Sequence, residues 1–484
     1  MRRVAILFGS RPWIALAVFG VAWALAAAAA RPYAGGWNDG SRLATVESLV
    51  DYRTLAIDES IFVRPPILEA DKPAPYSSSD LLSTIFGTGD KLFIDGHYYS
   101  DKSPVPALGL GAAYFAVQQA TGIRARDHVD SFCRMLTILS SGLAFALSVA
   151  AMFVLFQEIG LQLPLALAVT ASFGLSTVAL TYAEHVNNHS LFLGVASLLM
   201  LAFFRWSRQL DAGHSGILRV GWIGCLIGAG YAIDLGVGPA LIAAAGGFVL
   251  SRTRALRSLA ACACGMAPWL ILHHVVNFQV GGTLGPANAN AAYFQWPGCS
   301  FNAQNMTGGW HHANLGEFVL YALSLLFGKR GFIGHNLPLF LVFPATWWLI
   351  RQRGRDFGLV LFSFAWCTLT WLMYAVNSTN SSGQCCSIRW FQPLLAPGFF
   401  VTGQALRDRT DWRPAFYVLS GWGALLATQM VEPGPWMQHM VPYFWQIQAA
   451  AFASLLILAA VRRFSPTQVR ELDAQRIQFQ GKAA

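Results

Sequence analysis

The chain has 484 residues, of which 55 % are hydrophobic and only 12 % are charged. Soluble domains carry about 25 % charged residues, so this composition leaves too few charges to cover a water-soluble protein. It also excludes a disordered, collagen-like or coiled-coil chain. The net charge of +9 comes from short clusters between apolar runs, which is typical of cytoplasmic loops. We therefore predict a polytopic helical membrane protein. Its expected partners are membrane lipids, and we expect no nucleic acid among them.

Apolar stretches long enough to cross a bilayer recur from end to end. They predict spans near 13–30, 104–121, 132–156, 163–183, 189–204, 217–233, 235–250, 256–278, 333–350, 357–376, 391–406, 414–431 and 441–461. The first resembles a signal peptide, but because twelve more spans follow it, we predict a retained anchor. The expected fold is an all-α bundle of about 11–13 transmembrane helices in one domain over 1–464, with a short cytoplasmic tail at 465–484.

Arginine clusters orient these spans, because positively charged loops remain on the cytoplasmic side. Clusters at 252–257, 351–355, 407–413 and 462–463 predict cytoplasmic loops, which places 280–332, 377–390 and 432–440 outside, with 316–328 along the membrane surface. Before residue 205, spans that cross alternately outward and inward do not agree with the positions of the arginines. Five spans from a cytoplasmic N terminus would leave Arg205 and Arg208 outside, so one segment between 104 and 204 is not a simple span.

The segment 31–102 is predicted to be an outer loop and holds 11 of the 24 acidic residues. Its apolar residues Leu43, Val46 and Leu49 recur at helical spacing, which predicts an amphipathic helix on the membrane surface. Asp39 comes directly after the first span. A carboxylate with limited access to water can act as a general base, but an Asp that precedes a helical pattern is also a common helix cap. On this segment alone, the capping role is the simpler interpretation.

Ionisable residues also stand beside three later spans. Lys102 lies where the second span begins, so it either binds a lipid phosphate or anchors its helix at the interface. Glu184, His185 and His189 interrupt apolar sequence without the spacing of a metal site, and ionisable groups at membrane depth are functional candidates. Arg389 opens a later span, and its planar guanidinium suits a phosphate or carboxylate, although single arginines at helix ends are often anchors.

The eight cysteines show no zinc-binding spacing. Cys299, Cys385 and Cys386 lie in polar loops. If those loops face an oxidising compartment, Cys299 can pair with one of the other two.

Four short motifs resemble the GT-C glycosyltransferases, in particular their bacterial branch and its relatives, the protein O-mannosyltransferases and the lipid A aminoarabinose transferases. The run NDGSRLATVESLVDYRTLAID carries Asp39, and YSDKSP (99–104) is similar to the family's YSDKPP-like motif, with Ser103 in place of a Pro. FGKRGFIGHNLPLFL (327–341) and SGQCCSIRWFQPLLAP (382–397) are similar to two later motifs. The last segment lacks the family's glycines just before Arg389.

The resemblance implies a GT-C-like bundle in the bacterial inner membrane, part of the cell envelope, whose active site faces the periplasm. It implies transfer of a sugar from a polyprenyl-phosphate donor to an acceptor hydroxyl, with inversion. Asp39 would then be the catalytic base, and Lys102 and Arg389 would bind the donor phosphate. Positioning of donor or acceptor would involve Arg42, Glu47, His97, Tyr99, Asp101, His185 and His189. Since two cations can neutralise a monophosphate, we predict no obligatory metal, while a divalent metal stays possible.

Two other classes compete with this interpretation. A secondary transporter places ionisable groups near the bilayer midplane, often in repeated halves. Asp234, between two predicted spans, would suit such a role, but the sequence shows no matching halves. A polymerase or ligase of lipid-linked glycans should carry a large outer loop late in the chain, and 377–390 is too short for this. The sequence names neither the sugar nor the acceptor, which is a glycan, a lipid or a protein.

Overall fold

The structure is a computed structural model, and it describes residues 12–66, 73–77, 80–302, 306–437 and 439–464. Two predicted features lie outside the described residues. They are the two arginines before the first span, at positions 2 and 3, and the tail at 465–484. Within them the architecture is almost entirely helical, with one short hairpin. This confirms the predicted fold class.

The helices of the first half are α1 (Pro12–Ala29), α2 (Trp37–Glu47), α3 (Leu81–Phe86), α4 (Pro104–Thr121), α5 (Val129–Thr137), α6 (Leu143–Glu158), α7 (Leu163–Leu175), α8 (Asn188–Asp211) and α9 (Ile217–Ile233). The second half contains α10 (Gly238–Arg252), α11 (Leu256–Gly281), α12 (Leu315–Phe327), α13 (Phe332–His335), α14 (Val342–Gln352), α15 (Phe357–Asn377), α16 (Leu395–Asp408), α17 (Arg413–Val431) and α18 (Phe444–Phe464). Strands β1 (Lys91–Ile94) and β2 (His97–Ser100) pair antiparallel, with Lys91 opposite Ser100.

Each predicted span overlaps a helix, but the helices differ in their ability to cross a bilayer. In the described part of the chain, six are long and apolar enough to span by themselves, and α5 and α6 form one of these through a continuous helical segment. A seventh candidate is broken, because 315–335 and 337–352 meet at 113°. The apolar helices α7, α9 and α10 are shorter than these six.

Helix α4 was predicted as a span, but the structure places it against the 31–102 segment. It is not among the candidate spans and packs on α2. Its Tyr114 hydroxyl donates to Asp51 (3.1 Å) and accepts from the backbone N–H of Ala125. The ring of Tyr114 also contacts Phe132 edge to face, with centroids 4.7 Å apart. These contacts hold α4 within the apolar core of the first segment.

The predicted amphipathic helix forms as α2, but its apolar residues face protein. Leu43 and Val46 are buried in a cluster that includes Leu110 of α4 and Phe132 of α5. The membrane-surface position predicted for this helix is therefore wrong for α2. The short helix α3 has such an exposed apolar side, since Leu81, Leu82, Ile85 and Phe86 are all exposed.

The central bundle has polar groups at two opposite ends of α8. The 24 residues of α8 span about 36 Å. At its C-terminal end, Arg205 pairs with Glu158, and Arg208 pairs with Asp356. At its N-terminal end, His189 lies beside Asp234. Between them the core is aromatic, with Phe203 packed edge to face on the rings of Phe248 and Phe362.

Candidate active site

Asp39 lies at the first turn of α2 and is almost completely buried, with 1 % of its surface exposed. Its Oδ2 accepts the backbone N–H of Gly35 at 2.6 Å, and its Oδ1 accepts that of Gly36 at 3.0 Å. Gly36 is the N-cap of α2 and Gly35 precedes it, so the carboxylate of Asp39 binds the backbone that leads into the first turn. Asp39 is therefore the third residue of α2 and not the cap that precedes it, which is Gly36, although its carboxylate does bind backbone N–H groups at this helix start. The role as base stays a prediction.

Glycine is required at position 35 because two side chains approach its backbone. A Cβ there would overlap the ring of Trp436 and lie 2.7 Å from His185 Nε2. No sequence pattern indicated that Trp436 belongs to this site, because this residue lies about 400 positions away and has no charge.

His185 lies next to Asp39. Its Nδ1 is 3.2 Å from Asp39 Oδ2, and both side chains are buried. His185 follows a short helical turn at Thr181–Glu184 and has extended backbone. We call Asp39 and His185 the first carboxylate–imidazole pair.

Glu184 anchors this part of the chain through Arg31. The Arg31 Nε donates to Glu184 Oε2 at 2.8 Å, and its Nη2 donates to the carbonyl oxygens of Val431 and Glu432. Burial raises the pKa of Glu184 to about 7, and the charge of Arg31 opposes this rise. The contacts fasten the start of the 31–102 segment to the turns after α7 and α17.

A second carboxylate–imidazole pair lies at the N-terminal end of α8. His189 Nδ1 is 2.9 Å from Asp234 Oδ2, which also accepts from the Asn188 amide at 2.8 Å. Asp234 Oδ1 accepts the backbone N–H groups of Gly236 and Val237. Asp234 therefore lies between α9 and α10 at the same end of the bundle as Asp39, with its orientation fixed by three hydrogen-bond donors and by the neighbouring His189.

Arg42 lies three residues after Asp39 on α2, with 5 % of its surface exposed. Among the described residues its Nε and Nη1 have no hydrogen-bond partner. Burial lowers the pKa of Arg42 to about 10; Asp101, Asp234 and Asp90 oppose the shift and Arg389 adds to it. A buried guanidinium that keeps free N–H groups is unusual unless a ligand completes it.

Lys102 is already matched by protein carboxylates. Its Nζ is 2.7 Å from both Asp90 Oδ2 and Asp101 Oδ2. Burial raises the pKa of Asp101, and the charge of Lys102 opposes that rise. Ser41 holds this cluster to α2, because its hydroxyl donates to the Asp90 carbonyl and contacts the hydroxyl of Ser100 at 2.6 Å.

Arg389 begins a helical turn at Arg389–Leu394, where its backbone N–H donates to the Ser382 hydroxyl. Its guanidinium lies 5.0 Å from the ring of Trp436, within cation–π range. In the part of the chain that the structure describes, Arg389 Nε and Trp436 Nε1 are both buried without a hydrogen-bond partner. Trp436 thus connects Arg389 with Gly35 and with the first carboxylate–imidazole pair.

The remaining predicted positioning residues have local partners. Glu47 accepts from the Ser60 hydroxyl at 2.6 Å and the Ile61 N–H, inside the core of the 31–102 segment. His97 is exposed at the turn of the hairpin, near Asp58. Tyr99 and Asp101 line a small pocket with Lys102.

The structure forms no disulfide at the predicted cysteines: Cys299, Cys385 and Cys386 are free thiols. In the described ranges, no three His, Cys, Asp or Glu side chains are grouped so that they can hold a metal ion.

The fold and the site define a polytopic helical membrane protein with two carboxylate–imidazole pairs and two incompletely bonded arginines at one end of the bundle. No family model matches the sequence, and no curated protein gives a significant match. Two solved structures resemble the fold, both of ArnT from Cupriavidus metallidurans. The one bound to undecaprenyl phosphate shares 11 % identity over 88 % of this chain and 71 % of that chain, with a TM-score of 0.47. The apo structure shares 14 % identity over 87 % and 70 %, with the same TM-score.

At these identities the likeness concerns the fold alone.

Proposed function

We propose that the chain is an integral membrane glycosyltransferase that transfers a sugar from a polyprenyl-phosphate donor to an acceptor hydroxyl, with inversion. The observation that carries the proposal is the pair of arginines, Arg42 and Arg389, with buried N–H groups that have no partner among the described residues. Buried donors of this kind are satisfied by an anion with several oxygens, and a phosphate has that chemistry. The motif resemblance supports the same donor.

The proposed chemistry requires cations where charge develops. As the bond between the sugar and the phosphate breaks, negative charge grows on the departing polyprenyl phosphate. Fixed guanidiniums at that point stabilise the transition state more than the ground state. We assign this role to Arg389, as predicted, and extend it to Arg42.

Lys102 contributes to phosphate binding only if one of its carboxylates gives up its charge or moves. Asp101 is the candidate, because burial raises its pKa and so favours the neutral acid. A donor phosphate that approaches Lys102 would favour protonation of Asp101 further. With cations from protein side chains available, we propose that no metal is obligatory. Loss of transfer on addition of EDTA, with recovery on addition of magnesium, would contradict this.

We propose that the site lies on the outer face, with the N terminus in the cytoplasm. If α4 does not cross, the helices on either side of it alternate without conflict. The basic end of the bundle then faces the cytoplasm, as expected for positively charged loops. That end carries Arg205, Arg208, Arg252, Arg355 and Arg407. In a bacterial inner membrane the opposite end, with Asp39, would face the periplasm.

The experiment is transfer of radiolabelled sugar from membrane-extracted polyprenyl-phosphate donors by the purified protein in nanodiscs. Wild type is compared with Arg389→Met and with Arg124→Met, which removes an exposed arginine. We expect transfer by wild type and Arg124→Met, and a loss of about 100-fold or more in Arg389→Met, the size of effect seen when an oxyanion donor is removed. Full activity of Arg389→Met would contradict the assigned phosphate site. Absence of transfer by wild type from every donor fraction would contradict the proposed function.

No observation favours the transporter. Asp234, its strongest candidate in the sequence, is held by His189, Asn188 and two backbone N–H groups at the end of the bundle. An ion-coupling carboxylate near the midplane would instead lie within a helix or a broken helix.

A further inference from the structure

The environment of Asp39 is poorly suited to direct abstraction of a proton. Its Oδ2 accepts the Gly35 N–H and faces His185, and its Oδ1 accepts the Gly36 N–H. Asp39 and His185 are both buried, with 1 % and 4 % of their surfaces exposed, so they differ in which of their atoms already have partners. A general base must come within hydrogen-bond distance of the proton that it removes.

His185 has the complementary arrangement. Its Nδ1 faces Asp39, while its Nε2 faces the backbone of two glycines, Gly35 and Gly434. A Cβ on Gly434 would lie 3.8 Å from this Nε2. Among the described residues neither ring nitrogen of His185 forms a hydrogen bond, and Nδ1 has Asp39 Oδ2 at 3.2 Å as its charged neighbour. The tautomer that carries its proton on Nδ1, towards Asp39, leaves Nε2 free to accept one.

We propose that His185 Nε2 is the catalytic base and that Asp39 is a positioning residue that orients the imidazole and stabilises its protonated form. The inference rests on the proposed function and assigns its proton-transfer step. The acceptor O–H proton moves to His185 Nε2, and the acceptor oxygen forms a bond to the anomeric carbon of the donor. The bond between that carbon and the phosphate oxygen breaks, and its electron pair leaves with the polyprenyl phosphate. His185 then returns its proton to water.

The charges around His185 favour this role over the same role for His189. Facing the His185 ring are Asp39 from α2, Glu184 from the preceding turn, Tyr33 from the chain before α2, with ring centroids 6.1 Å apart, and Trp436. Glu184 is shared with Arg31. A positive charge on His185 is therefore compensated by Asp39.

The second pair has a less favourable setting. His189 has Asp234 as its carboxylate partner, but the positive charges of Arg42 and Arg389 oppose a further positive charge on its ring. We therefore expect His189 and Asp234 to orient the groups around the phosphate and not to take up the proton.

The test measures sugar transfer by His185→Gln, Asp39→Asn and the double variant, with His214→Gln as a matched control. His214 is exposed and lies in the turn after α8, at the opposite end of the bundle. We expect His185→Gln to lower kcat by about 100-fold or more, as for loss of a general base, while the apparent KM for the donor changes less than about threefold. The double variant should be no slower than the slower single variant, because residues that act as one unit are not additive.

Chemical rescue separates a base from a structural histidine. His185→Ala should regain transfer on addition of imidazole, in proportion to the concentration of its unprotonated form. A purely structural histidine would give no such dependence. If His185→Gln keeps more than a third of the wild-type kcat, or if the losses in the single variants multiply in the double variant, the inference is overturned while the proposed function stands.

A measurement on wild type tests the inference even if the His185 variants do not fold. Carbethoxylation of histidines with diethyl pyrocarbonate, mapped by mass spectrometry, should inactivate the protein in step with modification of His185, and hydroxylamine should restore activity. Full transfer by protein modified at His185 would overturn the inference. If unmodified wild type transfers sugar from no polyprenyl-phosphate donor, both the proposed function and this inference are overturned.

Discussion

Replacement of Arg42 by methionine should make the unliganded protein more stable and its binding of the donor weaker. The pKa of Arg42 is lowered from 12.5 to about 10, chiefly because its guanidinium is buried. A lowered pKa means that the folded state disfavours the charged form. At neutral pH this difference of about 2.5 units corresponds to about 3 kcal/mol. Methionine retains most of the apolar stem and removes the buried charge, so we expect a gain of about 1–3 kcal/mol.

The same substitution should weaken the binding of a polyprenyl phosphate. Hydrogen bonds to a charged group contribute about 1.5–3 kcal/mol, which corresponds to a loss of about 10- to 150-fold in affinity. The assay is unfolding of the protein in nanodiscs, with and without a polyprenyl phosphate. Wild type should be stabilised strongly by the ligand, and Arg42→Met should start from a higher midpoint and gain less.

Arg124→Met is the matched control, because Arg124 is exposed in the turn after α4 and should change neither quantity. A less stable Arg42→Met protein would refute the reasoning, since it would mean that the guanidinium is fully compensated in the unliganded fold. A more stable variant with unchanged ligand binding would show that Arg42 does not contact the phosphate.

Burial raises the pKa of Glu47 to about 7, so the folded protein holds this proton more tightly than the unfolded chain does. The free energy of unfolding should therefore fall by about 3 kcal/mol between pH 4.5 and 7 and then level off. Chemical unfolding of Glu47→Gln should show no such dependence on pH. Lys102→Met should lower the free energy of unfolding by about 3–5 kcal/mol, because the carboxylates of Asp90 and Asp101 lose the cation between them. Unchanged stability would contradict this. Gly224→Ala should lower the free energy of unfolding by about 1–3 kcal/mol, because the added Cβ would overlap a backbone carbonyl of α11. Gly246→Ala is the control, because a Cβ at Gly246 would meet open space. Equal stability of the two variants would contradict close packing of α9 on α11.

The motifs found in the sequence do converge in space, although their roles change. Asp39, Lys102, His185 and Arg389 were each chosen because an ionisable residue stands beside an apolar span, and the structure brings them to one end of the bundle. The sequence could not show that Lys102 is matched by two carboxylates. That arrangement depends on Asp90, a residue of a loop without any regular pattern.

The apolar pattern of a segment does not specify what that segment faces. Leu43 and Val46 have the spacing of a membrane-surface helix, yet they pack against protein, because α4 covers them. The same spacing serves a lipid surface and a protein surface, since both exclude water. For α4 itself, 18 residues of moderate hydrophobicity suggested a span, but the helix is not among those apolar enough to span, and it packs on α2 and bonds Asp51.

Local chemistry in the sequence determined the class of the protein, the positions of its helices and the residues that carry charge near the membrane surface. Composition and hydropathy follow from each residue's own side chain, and helical spacing follows from neighbours a few positions apart. Only the tertiary structure decided which of these residues are partners. The contact of Asp39 with His185 joins positions almost 150 residues apart, and that of Trp436 with Arg389 depends on how two loops meet. Such contacts arise from the packing of whole helices, which no local pattern records.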